Sequence, residues 1–164
     1  MAEWKKQDPS QYSDAFVYIC LPKIFSPLVR LQLLFWNPLV EHASMETMPW
    51  YRALALYGMS DLTISDDGND NDDLLSQDPD RRLLSMVIEK VVIVKITSFV
   101  KSAHDPLSTS QTQQLTGTIN KLVAKYPTVT GDSKQVRELL QTVKDKLKAA
   151  IDNDVYIPIG YPKQ

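Results

Sequence analysis

The longest apolar stretch of the chain runs over residues 81–104, RRLLSMVIEKVVIVKITSFVKSAH. At helical spacing Leu83, Leu84, Val87, Ile88, Val91, Val92, Ile96, Phe99 and Val100 cover most of a cylinder, and Arg81, Ser85, Glu89, Thr97 and Lys101 make a narrow polar strip. A helix apolar on most sides belongs at the centre of a domain, with neighbours packed around it. The β-branched run 91–97 would also suit a buried strand. A span of 24 residues without Gly or Pro exceeds a usual strand, however, so the pattern predicts a helix. Asp78 and Pro79 supply its cap and first position, because proline lacks the N–H that a helix start leaves unpaired.

On either side the same reading predicts further helices. Ser10 to Cys20, after an Asp8-Pro9 stop, places Ala15, Phe16, Ile19 and Cys20 at helical spacing. Leu21-Pro22 breaks or kinks that segment, and Ser26-Pro27 reads as an N-cap and first position of a new helix through Leu28, Leu31, Leu34 and Phe35. That helix looks interior, and Asn37-Pro38 ends it. A third helix starts near Thr47 or Met48 and runs past Trp50, Leu54 and Tyr57 to Gly58. Asp105-Pro106 stops the central helix. Ser108-x-x-Gln111 has the form of a capping box for a helix over 109–125, with Leu115, Ile119, Leu122 and Val123 on one face, and Tyr126-Pro127 ends it. Asp132-x-x-Gln135 can cap a last helix, whose Val136, Leu139, Leu140, Val143, Leu147, Ala150 and Ile151 form the cleanest stripe in the chain. The expected fold class is therefore all-α, an irregular multi-helix domain compatible with a place in an α-superhelical array. Residues 60–77 should form a flexible acidic loop, and residues 153–164 an extended tail.

Composition changes this picture in one respect. The net charge of −2 gives no general field for nucleic acid. Residues 61–80, however, hold eight of the 20 acidic residues and no Lys or Arg, so 18 basic residues face 12 acidic ones elsewhere. The remainder is mildly basic. Its clearest cationic row is Arg137, Lys144 and Lys148, which share a face of the last helix and are the candidate phosphate contacts, although a solvated basic face is the commoner explanation of such a row. The single cysteine, Cys20, permits no internal disulfide and reads first as a small buried hydrophobe. The opening residues lack the apolar core of a secretory signal. The apolar run 15–36 is interrupted by Pro22, Lys23, Pro27 and Arg30, so no membrane span is expected.

Catalytic chemistry has no foothold in the sequence. His42 and His104 have no partner at a metal spacing, no glycine-rich phosphate loop is present, and Ser108, Thr109, Ser110 and Thr112 have no base nearby. The acidic run resembles a calcium loop only superficially: glycine stands at its third position and Gln77 where a bidentate Glu belongs. No enzyme, cofactor or metal is expected.

The run EKVVIVKITSFVKSAHDPLSTSQT resembles the core of the GCFC domain, found in the GC-rich sequence DNA-binding factor and Pax-binding protein family. CLPKIFSPLVRLQL (residues 20–33), Trp36-Asn37-Pro38-Leu39, Met48-Pro49-Trp50 and Asp152-Asn153-Asp154-Val155-Tyr156-Ile157-Pro158 extend the likeness in family order. The resemblance implies that residues 1–164 form a partial GCFC-type helical domain acting in the nucleus. Its implied role is a scaffold in pre-mRNA splicing at the intron-lariat stage, with a G-patch splicing factor and a DEAH-box helicase as protein partners. The alternative it implies is a GC-rich DNA-binding transcriptional repressor or a transcription-factor adaptor. No zinc signature or concentrated basic helix favours direct nucleic-acid binding.

Candidate partner-binding residues are Trp36, Pro38, Trp50, Asp105, Pro106, Leu107, Ser108 and Gln111, with core membership the first expectation for Trp36, Trp50 and Leu33. Two departures from the family pattern stand out. His104 occupies a position where the family commonly has tryptophan, and Ile159-Gly160 separates the Pro158 block from Tyr161-Pro162-Lys163. If the chain is a piece of the longer family domain, some apolar faces should be bare, predicting self-association or a groove for a partner helix.

Overall fold

A computed structural model of the chain describes residues 2–40, 44–59 and 82–153. The fold is all-α, with no strand among the described residues. Two short helices, α1 (Ala2–Gln7) and α2 (Pro9–Asp14), open the chain, followed by α3 (Val17–Gln32) and α4 (Pro49–Met59). The central helix α5 comprises Leu83–Val87, Ile88–Ile93 and Val94–Ser102 without interruption. Then come α6 (Thr109–Lys125) and α7 (Lys134–Asn153). The expected acidic loop at 60–77, the cap at Asp78-Pro79, Arg81, His42 and the tail from 154 onward lie outside the described residues. Asn153, expected in the tail, is the last residue of α7.

Helix α5 sits where its apolar surface requires, against α3, α4 and α7. Val87, Ile88, Val92, Ile96 and Val100 are fully enclosed, and the β-branched run 91–97 is helical because packing on all sides outweighs β propensity. Each such side chain contributes about 1.5–3 kcal/mol by leaving water. The middle segment, Ile88–Ile93, winds as a π-helix, whose hydrogen bonds run from i to i+5. That wider winding accommodates an extra residue and shifts the faces downstream. Thr97, downstream of it and expected on the polar strip, is buried; Ser85, upstream of it and expected on the same strip, is buried as well. Solvent instead meets Lys90, Val94, Ser98 and Lys101. Thr97 satisfies its hydroxyl by donating to the Ile93 carbonyl at 2.9 Å.

The amino-terminal region corrects three expectations. The helix foreseen from Ser10 to Cys20 is divided at Phe16, which takes a left-handed backbone (φ 50°, ψ 37°) between α2 and α3. Asp8-Pro9 starts a helix instead of only ending one, with the Asp8 carboxylate accepting from the Gln11 N–H at 3.0 Å. Helix α3 runs through both Pro22 and Pro27. Ser26 does not cap: its hydroxyl folds back and donates to the Pro22 carbonyl one turn earlier.

Helix α3 is also not interior all round. Val17, Leu21, Val29 and Leu33 enter the core, whereas Ile24, Leu28, Leu31, Leu34, Phe35 and Cys20 are exposed. The last helix shows the same division. Val136, Leu139 and Ala150 are buried, and Leu140, Leu147 and Ile151 face solvent. It begins at Lys134, so Asp132 stays in the preceding loop instead of capping.

Candidate partner-binding site

The turn into α6 is built by its own side chains. The Asp105 carboxylate accepts from the Leu107 N–H at 3.0 Å, closing a turn around Pro106. Ser108 caps α6 by accepting from the Gln111 N–H at 3.5 Å. Gln111 reaches back, as a capping box requires, but its Oε1 takes the Asp105 N–H at 2.9 Å, while the Ser108 N–H bonds the Asp105 carbonyl. Asp105, Pro106, Leu107, Ser108 and Gln111 thus form one locked turn, with Leu107 projecting into solvent.

His104 closes the other side of that turn. It is buried; its Nε2 stands 3.4 Å from the Thr112 hydroxyl, and its Nδ1 has no hydrogen-bond partner. Burial holds the imidazole below its ordinary pKa, Asp105 raises it in part, and Lys146 lowers it further. A buried ring with an orphaned nitrogen sits in a space that an apolar aromatic side chain would satisfy better.

Along the next turns of α6, Gln114, Thr118, Lys121, Leu122 and Lys125 line one wall of a groove of about 560 Å³. The opposite wall comes from Trp36, Pro38 and Val40 after α3, and from Ser44, Met45 and Glu46 before α4. Spacings of three and four continue the row from Gln111, so the capped turn and the groove share a face of one helix. At the groove's far end Lys125 pairs with Glu46 and lies 5.4 Å from the Tyr51 ring centre and 5.8 Å from that of Tyr126. The hydrogen bond to Glu46 raises the Lys125 pKa first, and that to Tyr51 second. Beneath it the Tyr51 and Tyr126 hydroxyls bond at 2.8 Å, and burial raises the Tyr126 pKa well beyond the usual phenol range.

The structure thus brings Trp36 and Pro38 together with α6, and gathers Asp105 to Gln111 one turn away. Trp50 lies apart in the core, where its indole N–H donates to the Met48 sulfur at 3.2 Å and its backbone N–H to the Gln32 side chain at 3.3 Å. Leu33 is likewise core. Of the cationic row on α7, Arg137 is bound to its own loop, with Nη2 3.1 Å from Asp132 and Nε 3.2 Å from the Gly131 carbonyl. Lys144 and Lys148 are exposed beside Leu140, Leu147 and Ile151. Glu46, Tyr51, Lys121, Lys125 and Tyr126 were not among the site residues that the sequence singled out. They meet across as many as 79 positions, and only the Tyr126-Pro127 helix stop marked any of them beforehand.

The described part of the molecule is an all-α domain with a helix buried at its centre. No helix of it is long and apolar enough to cross a membrane, and no group of three His, Cys, Asp or Glu among the described residues could hold a metal ion. The family model for GC-rich sequence DNA-binding factor-like protein matches residues 1–158, and the chain belongs to that family. It is 37% identical over 98% of its length to the mouse protein named Intron Large complex component GCFC2, of which it covers 20%. It is 36% identical over 98% of its length to mouse PAX3- and PAX7-binding protein 1, covering 16% of that protein. To Arabidopsis thaliana Transcriptional repressor ILP1 the identity is 33% over 90% of the chain, covering 15% of the relative. The chain therefore spans a fifth or less of each of these relatives. Their names are those of complex components, binding proteins and a repressor, placing the family among proteins of splicing or transcription.

Proposed function

We propose that the chain is a non-enzymatic interaction domain of a nuclear pre-mRNA splicing assembly, acting at the intron-lariat stage. The observation that carries this reading is the 37% identity, over nearly the whole chain, to a mouse protein named as an Intron Large complex component. The architecture supports it: Leu115 and Leu122 anchor α6 in the core, and the capped turn 105–111 and the groove beside Trp36 and Pro38 lie along that helix as a surface built by the fold. Preformed surfaces bind without the entropy cost of ordering. The partners implied by the family resemblance are a G-patch splicing factor and a DEAH-box helicase. Lys144 and Lys148 offer RNA phosphate a contact, with Arg137 the weakest of the three because Asp132 already neutralises it.

A second reading, adaptor or repressor in transcription, is favoured by the names of the PAX-binding and Arabidopsis relatives. A nuclease-treated pulldown from nuclear extract, read by mass spectrometry, separates the two. Recovery of a G-patch protein, a DEAH-box helicase or late spliceosome components is the expected result. Promoter-associated factors with no splicing protein would overturn it. Binding to GC-rich over scrambled duplex, with steep salt dependence, would also overturn it.

A further inference from the structure

One face of α3 and its continuation is bare and apolar. Ile24, Leu28, Leu31 and Phe35 follow one another at spacings of four, three and four, flanked by Cys20 and Leu34, and their exposure runs from 54% at Ile24 to 94% at Phe35. The stripe is about 16 Å long at roughly 1.5 Å per residue. Contiguous apolar surface of this kind marks an interaction site.

We infer that this face of α3 docks an amphipathic helix of a partner protein whose apolar stripe is bordered by acidic residues. The inference rests on the reading of the chain as an interaction domain and assigns a surface to it. Shape selects a helix. The face is a convex row of side chains, which the rows of a second helix can straddle, whereas small ligands require a concavity. The backbone of α3 is internally hydrogen-bonded and offers no edge to an added strand.

Charge selects the acid. Lys23 and Arg30, seven positions apart, are the only charged residues between Ala15 and Val40. Lys95, reaching from α5, places its ammonium 3.4 Å from the Leu34 carbonyl at the far end of the stripe. The stripe is thus bordered by cations, with no carboxylate of its own. A second copy of this face would bring only more cations, so like-charge repulsion opposes self-pairing.

The test uses the 164-residue chain and two labelled synthetic helical peptides, each with leucines at i, i+3, i+4 and i+7, one flanked by glutamates and the other by lysines. Fluorescence anisotropy should show the acidic peptide binding roughly tenfold or more tightly than the basic one, as several rim charge pairs of modest strength predict. Lys23→Glu with Arg30→Glu should reverse that preference, and Leu28→Asp with Leu31→Asp should abolish binding of both. All four side chains are exposed, and circular dichroism verifies that the variants fold. Equal affinity for the two peptides, no binding to either, or loss of the signal to anionic vesicles in preference to the peptide would overturn the inference. So would a chain dimer in sedimentation that Leu28→Asp with Leu31→Asp dissolves. The same leucine variant serves as bait in the nuclear pulldown. Unchanged recovery of splicing proteins would sink the α3 surface while leaving the splicing reading intact. Peptide binding without any splicing protein in the wild-type pulldown would do the reverse.

Discussion

Helices α3 and α5 are alike as sequence, both dominated by Leu, Ile and Val, and both carrying only scattered charge, yet the structure treats them differently. Four consecutive turns of α5 are sealed, with Val87, Ile88, Val92, Ile96 and Val100 at 0% exposure, while α3 buries one side and leaves Leu28 and Leu31 at 55% and 69%. The difference lies in the neighbours. Helices α3, α4 and α7 surround α5, and among the described elements none packs on the outer face of α3. Apolar content reports that a helix wants cover on a given side; it does not report that the cover is present in the same chain.

The comparison is sharpest under truncation. Ile96→Ala should cost about 2–5 kcal/mol in urea denaturation, through lost transfer and the cavity left behind. Leu31→Ala, on the bare face, should stay within about 0.5 kcal/mol, and a large loss there would mean that α3 is covered after all. Next in size is the Tyr51–Tyr126 pair, which ties α4 to the end of α6. Tyr51→Phe strands a buried hydroxyl and should cost about 1–3 kcal/mol, part of which the added Tyr126→Phe change recovers.

A smaller effect follows from His104, and its sign is fixed by burial. The imidazole titrates near 6.5 when unfolded and lower when folded, so the unfolded chain binds the proton more readily. Stability should be complete above about pH 6.5 and decline as the pH falls from there through the folded-state value, as followed by thermal melts across pH. His104→Phe should flatten that decline, and an unchanged slope would assign the acid sensitivity elsewhere. Smallest of all is Glu138→Gln. It removes the Lys101–Glu138 pair that links α5 to α7 at 3.1 Å, both side chains more than half exposed, and should change the unfolding free energy by no more than about 0.5 kcal/mol.

What the sequence made legible follows the range of the forces involved. The end of α5 ahead of Asp105-Pro106, the start of α6 at Thr109 and the stop at Tyr126 were readable, because caps, prolines and periodicity act within a few residues. The continuity of α3 was not, since Pro22 and Pro27 each weigh against a helix locally, and tertiary packing of Val17, Leu21, Val29 and Leu33 overrides them. Trp36, Pro38 and the turn 105–111 could be singled out beforehand. The facing wall of Met45 and Glu46 and the Tyr51–Tyr126 contact could not, as they arise only when distant segments meet. Burial of Cys20, Leu28, Leu31, Leu34 and Phe35 was misjudged for the same reason.

The π-helical turn at Ile88–Ile93 gives α5 an unusual tolerance. In an ordinary buried helix, excising one residue rotates everything beyond it by about 100°, turning core side chains toward water. Here the winding already holds one residue more than an α-helix needs. A chain one residue shorter between Ile88 and Ile93 can tighten into regular helix while Val94–Ser102 keeps its orientation toward α7. The deepest part of the molecule should therefore accept a single-residue deletion more readily than the flanking turn at Leu83–Val87.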